Sequence, residues 1–199
     1  MVPGEDKAWD ILLKSYPEDV CRRTLASFDA ASGLYVVRSF GKDFSLSLAE
    51  RRMESLSPGG EVILQRLAYF FRLSVLTYLN AAKDIPVTGR LMRPSNIPGA
   101  ATFFTGSHVL PLDKIAARFS ADLDGFIRKG QEYGGEKFDH ADASLRLFAF
   151  PRIPVVVLLW SADDEFPPRA DLLLDSSCEL QLPLDIIWSI TMMSLLILF

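Results

Sequence analysis

Cysteine and histidine are scarce: the 199 residues hold two of each, Cys21, Cys178, His108 and His140. Two cysteines cannot build a disulfide framework or a four-thiolate zinc or iron–sulfur site. The histidines stand far apart with no cysteine beside either, so no metal centre is expected. Glycine and proline, at twelve each, are too few for a collagen-like or low-complexity chain. The motifs GxGxxG, Walker A, HExxH, GxSxG and CxxC are all missing. Nucleotide-phosphate binding, zinc peptidase, serine hydrolase and dithiol chemistry therefore lack sequence support, and no catalytic residue is nominated.

Charge of one sign is lacking too. Lys and Arg number 21 against 25 Asp and Glu, a net charge of −4. The excess acids, Asp171, Asp175, Glu179 and Asp185, all lie beyond the last base, Arg169. No basic stripe is present to neutralise a phosphate backbone, which argues against nucleic acid as a partner. The pairs Arg22-Arg23, Arg51-Arg52 and Arg128-Lys129 have acids nearby and read as solvated faces. Met1 to Lys14 has early acids and no apolar core, so no signal peptide is expected. The uncharged close of the chain, Ile186–Phe199, falls short of the ~20 residues a bilayer span needs. A cytoplasmic protein without a membrane partner is the expectation. An apolar helix must be covered by its own domain, by a second copy in a homodimer, or by a redox-protein partner.

What is abundant is apolar surface, with 49% hydrophobic residues, enough for one core and a single domain over residues 1–199. Trp9, Leu12, Leu13, Tyr16 and Val20 space a first helix over residues 5–27, with Pro17 placed to split it. A hairpin follows, residues 34–40 and 44–48 around Gly41-Lys42-Asp43. Residues 61–82 form a long helix expected at the centre of the fold. Lys83–Pro111 reads as a long Pro/Gly-rich loop, a kind that is often functional. A helix over 112–129, strands over 144–150, 155–160 and 170–174, and the C-terminal helix complete the chain. The order predicts an α+β fold, a single domain with one antiparallel sheet, helices packed on it, a buried central helix and an apolar C-terminal helix.

The candidate binding residues are His108, Phe103, Phe104, Arg152, Trp160, Asp164 and Glu165. His108 follows Phe103-Phe104-Thr105-Gly106-Ser107, where Gly106 can present the imidazole beside an aromatic wall. That suits an axial ligand to a tetrapyrrole metal or a general base near pH 7, and equally a loop histidine bonded to backbone. Arg152, between Pro151 and Pro154, suits a carboxylate or phosphate ligand, or an internal ion pair with an acid of the 163–165 turn. Asp163-Asp164-Glu165 is the densest acid run, a cation or acid/base candidate and also an ordinary solvated turn. Trp160 is a stacking candidate or core. Asp139-His140-Ala141-Asp142 reads as solvated loop, and the cysteines as ordinary thiols.

Several segments resemble one family. They are Asn80-Ala81-Ala82-Lys83-Asp84-Ile85-Pro86-Val87-Thr88-Gly89; Ile97-Pro98-Gly99 with Phe103-Phe104-Thr105-Gly106-Ser107-His108 and Leu110-Pro111-Leu112; and Phe150-Pro151-Arg152-Ile153-Pro154 with Leu159-Trp160, Asp164-Glu165-Phe166-Pro167-Pro168-Arg169-Ala170 and Asp175-Ser176-Ser177. With Ala8-Trp9 and Arg22-Arg23, they resemble a bacterial and archaeal domain-of-unknown-function family common in anaerobes. The resemblance implies no activity. Some members carry an added iron–sulfur segment like that of corrinoid iron–sulfur proteins, which implies a place near anaerobic redox or corrinoid metabolism. This chain lacks the cysteines of that segment. Three readings follow: an accessory module binding a small molecule or cofactor such as a corrinoid or other tetrapyrrole, a protein-interaction module that dimerises, or an acid/base enzyme using His108 with Asp164 or Glu165.

Overall fold

Proline sets the first boundary. The computed structural model describes residues 3–199, and its N-terminal helical run is split into α1 (Pro3–Leu13) and α2 (Pro17–Thr24). Pro17 opens α2, where its missing N–H costs nothing. Four short strands follow as an antiparallel meander: β1 (Ser27–Asp29), β2 (Leu34–Ser39), β3 (Lys42–Ser47) and β4 (Arg52–Ser55). Next comes α3 (Gly60–Ala81), then β5 (Leu91–Met92), α4 (Leu112–Phe119) and α5 (Leu123–Gln131). A second antiparallel sheet joins β5 to β6 (Glu136–Lys137), β7 (Ala143–Phe150), β8 (Ile153–Trp160) and β9 (Arg169–Asp175) in the order β5-β9-β8-β7-β6. The chain closes with α6 (Cys178–Gln181) and α7 (Leu184–Leu196).

The fold is α+β, with seven helices and two antiparallel sheets among the described residues. The expectation of one sheet is corrected. The hairpin β2–β3 recruits β1 and β4 as its own neighbours, so it forms a separate layer. The two sheets touch where β8 carries Pro154, which has no N–H to give β7. The β7–β8 register shifts there, and the Phe148 and Ala149 carbonyls accept from Phe40 N and Ser39 Oγ instead. Gly41 and Gly134 meet at the same seam. Both have positive φ, and a Cβ on Gly41 would stand 2.7 Å from the Gly134 Cα. Two further expectations change in detail. The 83–111 segment holds β5 and two short 3-10 turns, and the 112–129 helix breaks at Ser120-Ala121-Asp122 into α4 and α5.

Helix α3 is central because it has apolar partners on several sides. Its Phe71 packs on Phe44 of β3 with ring centres 4.8 Å apart, and its Tyr78 lies flat on Phe150 of β7 at 4.4 Å. It also packs against α1 and α7. By length and composition alone α3 could cross a membrane; here it bridges two sheets of the core. Its helical path breaks at Ala68 (φ +44°, ψ −118°), two residues before an exposed phenylalanine, Phe70. Strand β8 is buried along its length to Leu159, as its unbroken apolar run predicts. Helix α7 is covered by its own chain: Ile186, Ile187, Ile190, Met193 and Leu195 are all buried. Buried side chains from Ala8 to Leu198 form one hydrophobic cluster.

Candidate functional site

Most of the charged residues in the family-like segments are spent on holding the fold. The Arg152 guanidinium donates to four acceptors: the Arg22 and Arg23 carbonyls at the end of α2, the Ile85 carbonyl, and Asp84 Oδ1. A helix leaves its last carbonyls unpaired, and a cation there satisfies both the hydrogen bonds and the helix dipole. Arg23 does the same for α3, donating to the Leu79 and Ala82 carbonyls while pairing with Asp19. Asp84 bridges Arg22 and Arg152. Arg152 is thus an internal ion pair, but with Asp84 and not with the 163–165 turn. The reading of Arg22-Arg23 as a solvated face is corrected for Arg23, whose side chain is only 17% exposed.

Asp175, at the end of β9, is the second latch. It is buried and accepts from Thr88 N and Oγ1, Gly89 N, and Ser177 N and Oγ. Burial pushes its carboxyl up, but hydrogen bonds from Ser177 and Thr88 outweigh that and hold it below the usual aspartate range. A carboxylate whose folded pKa is depressed stabilises the fold above its unfolded pKa. That stability is lost as pH falls through the folded pKa. The expected result is a loss of stability in acid that Asp175→Asn lacks, with the variant less stable by about 2–3 kcal/mol near neutrality. Urea titrations from pH 6 to pH 2.5 measure both; parallel curves for the two proteins would contradict it.

The segment around His108 is different: its half-buried rings meet those of α7 and α3 in a row. The imidazole stacks on Phe103 at 4.6 Å and 8°, and Phe103 meets Phe104 edge-on at 5.9 Å. On its other side His108 meets Trp188 of α7 edge-on at 4.9 Å, and Trp188 meets Phe70 of α3 at 5.9 Å. The Trp188 indole N–H donates to the His108 carbonyl at 2.9 Å, pinning the loop to α7. His108 is half-buried, and no other described residue hydrogen-bonds its ring nitrogens. Phe70 and Val109 are 49% and 59% exposed, so the row is a surface face and not a closed cavity. The sequence offered His108, Phe103 and Phe104; it did not offer Trp188 or Phe70. A tryptophan inside the aliphatic 186–199 run was the available signal.

The remaining candidates lie elsewhere. Arg152 and Trp160 flank β8 at opposite ends, about 25 Å apart at strand rise. Trp160 is covered by the Arg169 guanidinium, 4.3 Å from its ring centre, so it offers no free stacking face on that side. Asp164 and Glu165 are exposed in the β8–β9 turn, which Asp163 organises by accepting from Glu165 N and Phe166 N. His108 precedes α4, whereas Ser120 at the far end of α4 accepts from Ser161 beside that turn. An eight-residue helix, about 12 Å long, therefore separates the imidazole from the turn carboxylates. They are not within hydrogen-bond reach of one another. His140 stacks on Phe138, Cys178 is buried with its thiol pushed up to about 12 by that burial, and no metal-ligand cluster occurs among the described residues.

The fold and this face define an α+β domain that carries an aromatic row with a histidine at its surface. The chain belongs to a family described as a domain of unknown function (DUF3786), whose model matches residues 16–195. Neither a curated protein nor a solved structure matches it.

Proposed function

We propose that this domain is a cytoplasmic, non-catalytic accessory module that holds a planar cofactor, a corrinoid or other tetrapyrrole, against the His108 face. One observation carries the reading: an imidazole whose nitrogens bond no described residue, held in orientation by Phe103 and Trp188, stands in a row of half-buried rings that ends on the exposed Phe70. His108 would hold the group through a ring nitrogen, and the bound macrocycle would supply redox or metal chemistry. Phe103 and Trp188 hold the imidazole between them, and Phe70 beside Trp188 adds apolar surface for the ligand's edge. The resemblance to a family near corrinoid metabolism supports the same choice. Arg152 takes no part, since its donors are already engaged.

An open face buries only one side of a ligand, so the expected affinity is modest, with Kd about 1–10 µM. Titration with ferric haem and with aquocobinamide, read as a shift in the visible absorption spectrum, measures it. His108→Ala is expected to remove the spectral shift and weaken binding at least about tenfold. Unchanged spectra and affinity in the variant would sink the proposal.

A second reading places a redox-protein partner or a second copy on the same face, favoured by the exposure of Phe70 and Val109. Sedimentation equilibrium on the purified domain separates the two-copy form from a monomer.

A further inference from the structure

The far end of β8 holds a cleft that shares no residue with the His108 face. Its volume is about 220 Å³, and its walls include Asp142, Trp160, Asp163, Phe166 and Arg169. That is below the ~300–1,000 Å³ of a drug-sized site, so it suits a small metabolite and not a macrocycle or a nucleotide. Trp160 closes β8 and Arg169 opens β9 as its cross-strand partner, which lays the guanidinium 4.3 Å from the ring centre. Asp142 immediately precedes β7, and Asp163 and Phe166 belong to the β8–β9 turn.

Both signs of charge stand in this cleft with bonding capacity left over. Asp142 uses Oδ2 to accept from Ser161 N, and Asp163 uses Oδ1 to accept from Glu165 N and Phe166 N. Among the described residues, nothing donates to Asp142 Oδ1 or Asp163 Oδ2. Arg146 of β7 and Arg93 beside β5 pair directly with Glu136 and Asp171. Arg169 instead lies on the Trp160 ring, with no carboxylate of the described residues within ion-pair distance. Its charge still reaches the cleft: the two backbone hydrogen bonds, and after them the guanidinium, hold the Asp163 carboxyl below the usual aspartate range.

These walls select by charge. A simple anion meets two carboxylates, and a simple cation meets the guanidinium. A small zwitterion answers both signs at once, and the exposed Phe166 beside Pro167 adds an apolar wall. We propose that this cleft binds a free α-amino acid with an apolar side chain. Its carboxylate sits on the Arg169 guanidinium, its ammonium on Asp142 and Asp163, and its side chain against Phe166. The proposal stands whether or not the His108 face binds a tetrapyrrole.

The probes are L-leucine, 3-methylbutylamine, which lacks its carboxylate, and 4-methylpentanoate, which lacks its ammonium. In a nitrogen-15 correlation spectrum, L-leucine should move the Trp160 indole signal saturably while those of Trp9 and Trp188 stay in place. The expected Kd is on the order of 0.1–1 mM for so open a site. Each single-charge analogue should bind at least about tenfold more weakly, the worth of one charge-assisted hydrogen bond. Arg169→Gln and Asp142→Asn should each weaken L-leucine by a similar factor. Both side chains are exposed, and the asparagine amide oxygen can still accept from Ser161 N, so the melting temperature should hold. His108→Ala should leave the affinity unchanged. An unmoved Trp160 signal would overturn the proposal. So would an analogue that binds as tightly as L-leucine, an unchanged affinity in either cleft variant, or weakened binding in His108→Ala.

Discussion

Arg152→Ala is expected to cost about 3–5 kcal/mol, a large share of a domain's stability. The side chain is 12% exposed and its guanidinium is the meeting point of α2, the 83–85 segment and the β7–β8 turn. Deleting it strands carbonyls at the end of α2 and leaves Asp84 with Arg22 as its remaining ion-pair partner. Lysine should recover little. One ammonium group cannot match a planar fork that serves the Arg22, Arg23 and Ile85 carbonyls and Asp84 together. Equilibrium urea unfolding measures this as a drop in midpoint at constant slope. A change below 1 kcal/mol would show that the latch is dispensable.

Truncation after Pro183 is expected to abolish cooperative folding. Ile186, Ile187, Ile190, Met193, Leu195, Ile197 and Leu198 are buried in the shared core. At about 1.5–3 kcal/mol for each large side chain, their joint loss is as large as the ~5–15 kcal/mol that holds a typical domain together. Their removal would also expose the faces of α3 and β8 that pack on α7. Thermal unfolding followed by near-ultraviolet circular dichroism should show no transition, and a hydrophobic dye should bind. A soluble, cooperatively melting monomer would instead mean that α7 serves as an interface.

These two expectations mark what was legible in the sequence. Apolar spacing located α1, near-continuous apolar content at 61–82 and 186–199 located α3 and α7, and the unbroken run 155–160 located the buried strand, because burial on one face or on all sides leaves a local pattern. Pro17 marked the break between α1 and α2, and Gly41 the turn of the hairpin. Long-range partners left no such trace. Nothing local says that Arg152 reaches Asp84, that Asp175 holds Thr88, or that Gly41 must be bare because Gly134 lies against it. The separation into two sheets depends on which strands β2 and β3 recruit, a choice made across the chain.

The site was legible in the same uneven way. Phe103, Phe104 and His108 are neighbours in sequence and stay neighbours in space. Trp188 and Phe70 arrive from distant helices, so only the fold could add them. The acids at 164 and 165 drew attention as a run, yet a turn between strands is where charge is cheapest to solvate. Of the family-like segments, those bearing Arg152, Asp84 and Asp175 stabilise the chain through bonds already made. The segment bearing His108 keeps its ring nitrogens open to an outside group.

The chain holds three tryptophans, and they report on three places: Trp9 in the core, Trp160 at the far end of β8, and Trp188 against His108. The most direct measurement is a nitrogen-15 correlation spectrum of their indole N–H groups during titration with aquocobinamide. The account predicts that the Trp188 signal moves or broadens saturably while those of Trp9 and Trp160 stay in place, and that His108→Ala abolishes the change. A ligand-induced shift at Trp160, or none at any of the three, would contradict the assignment of the His108 face.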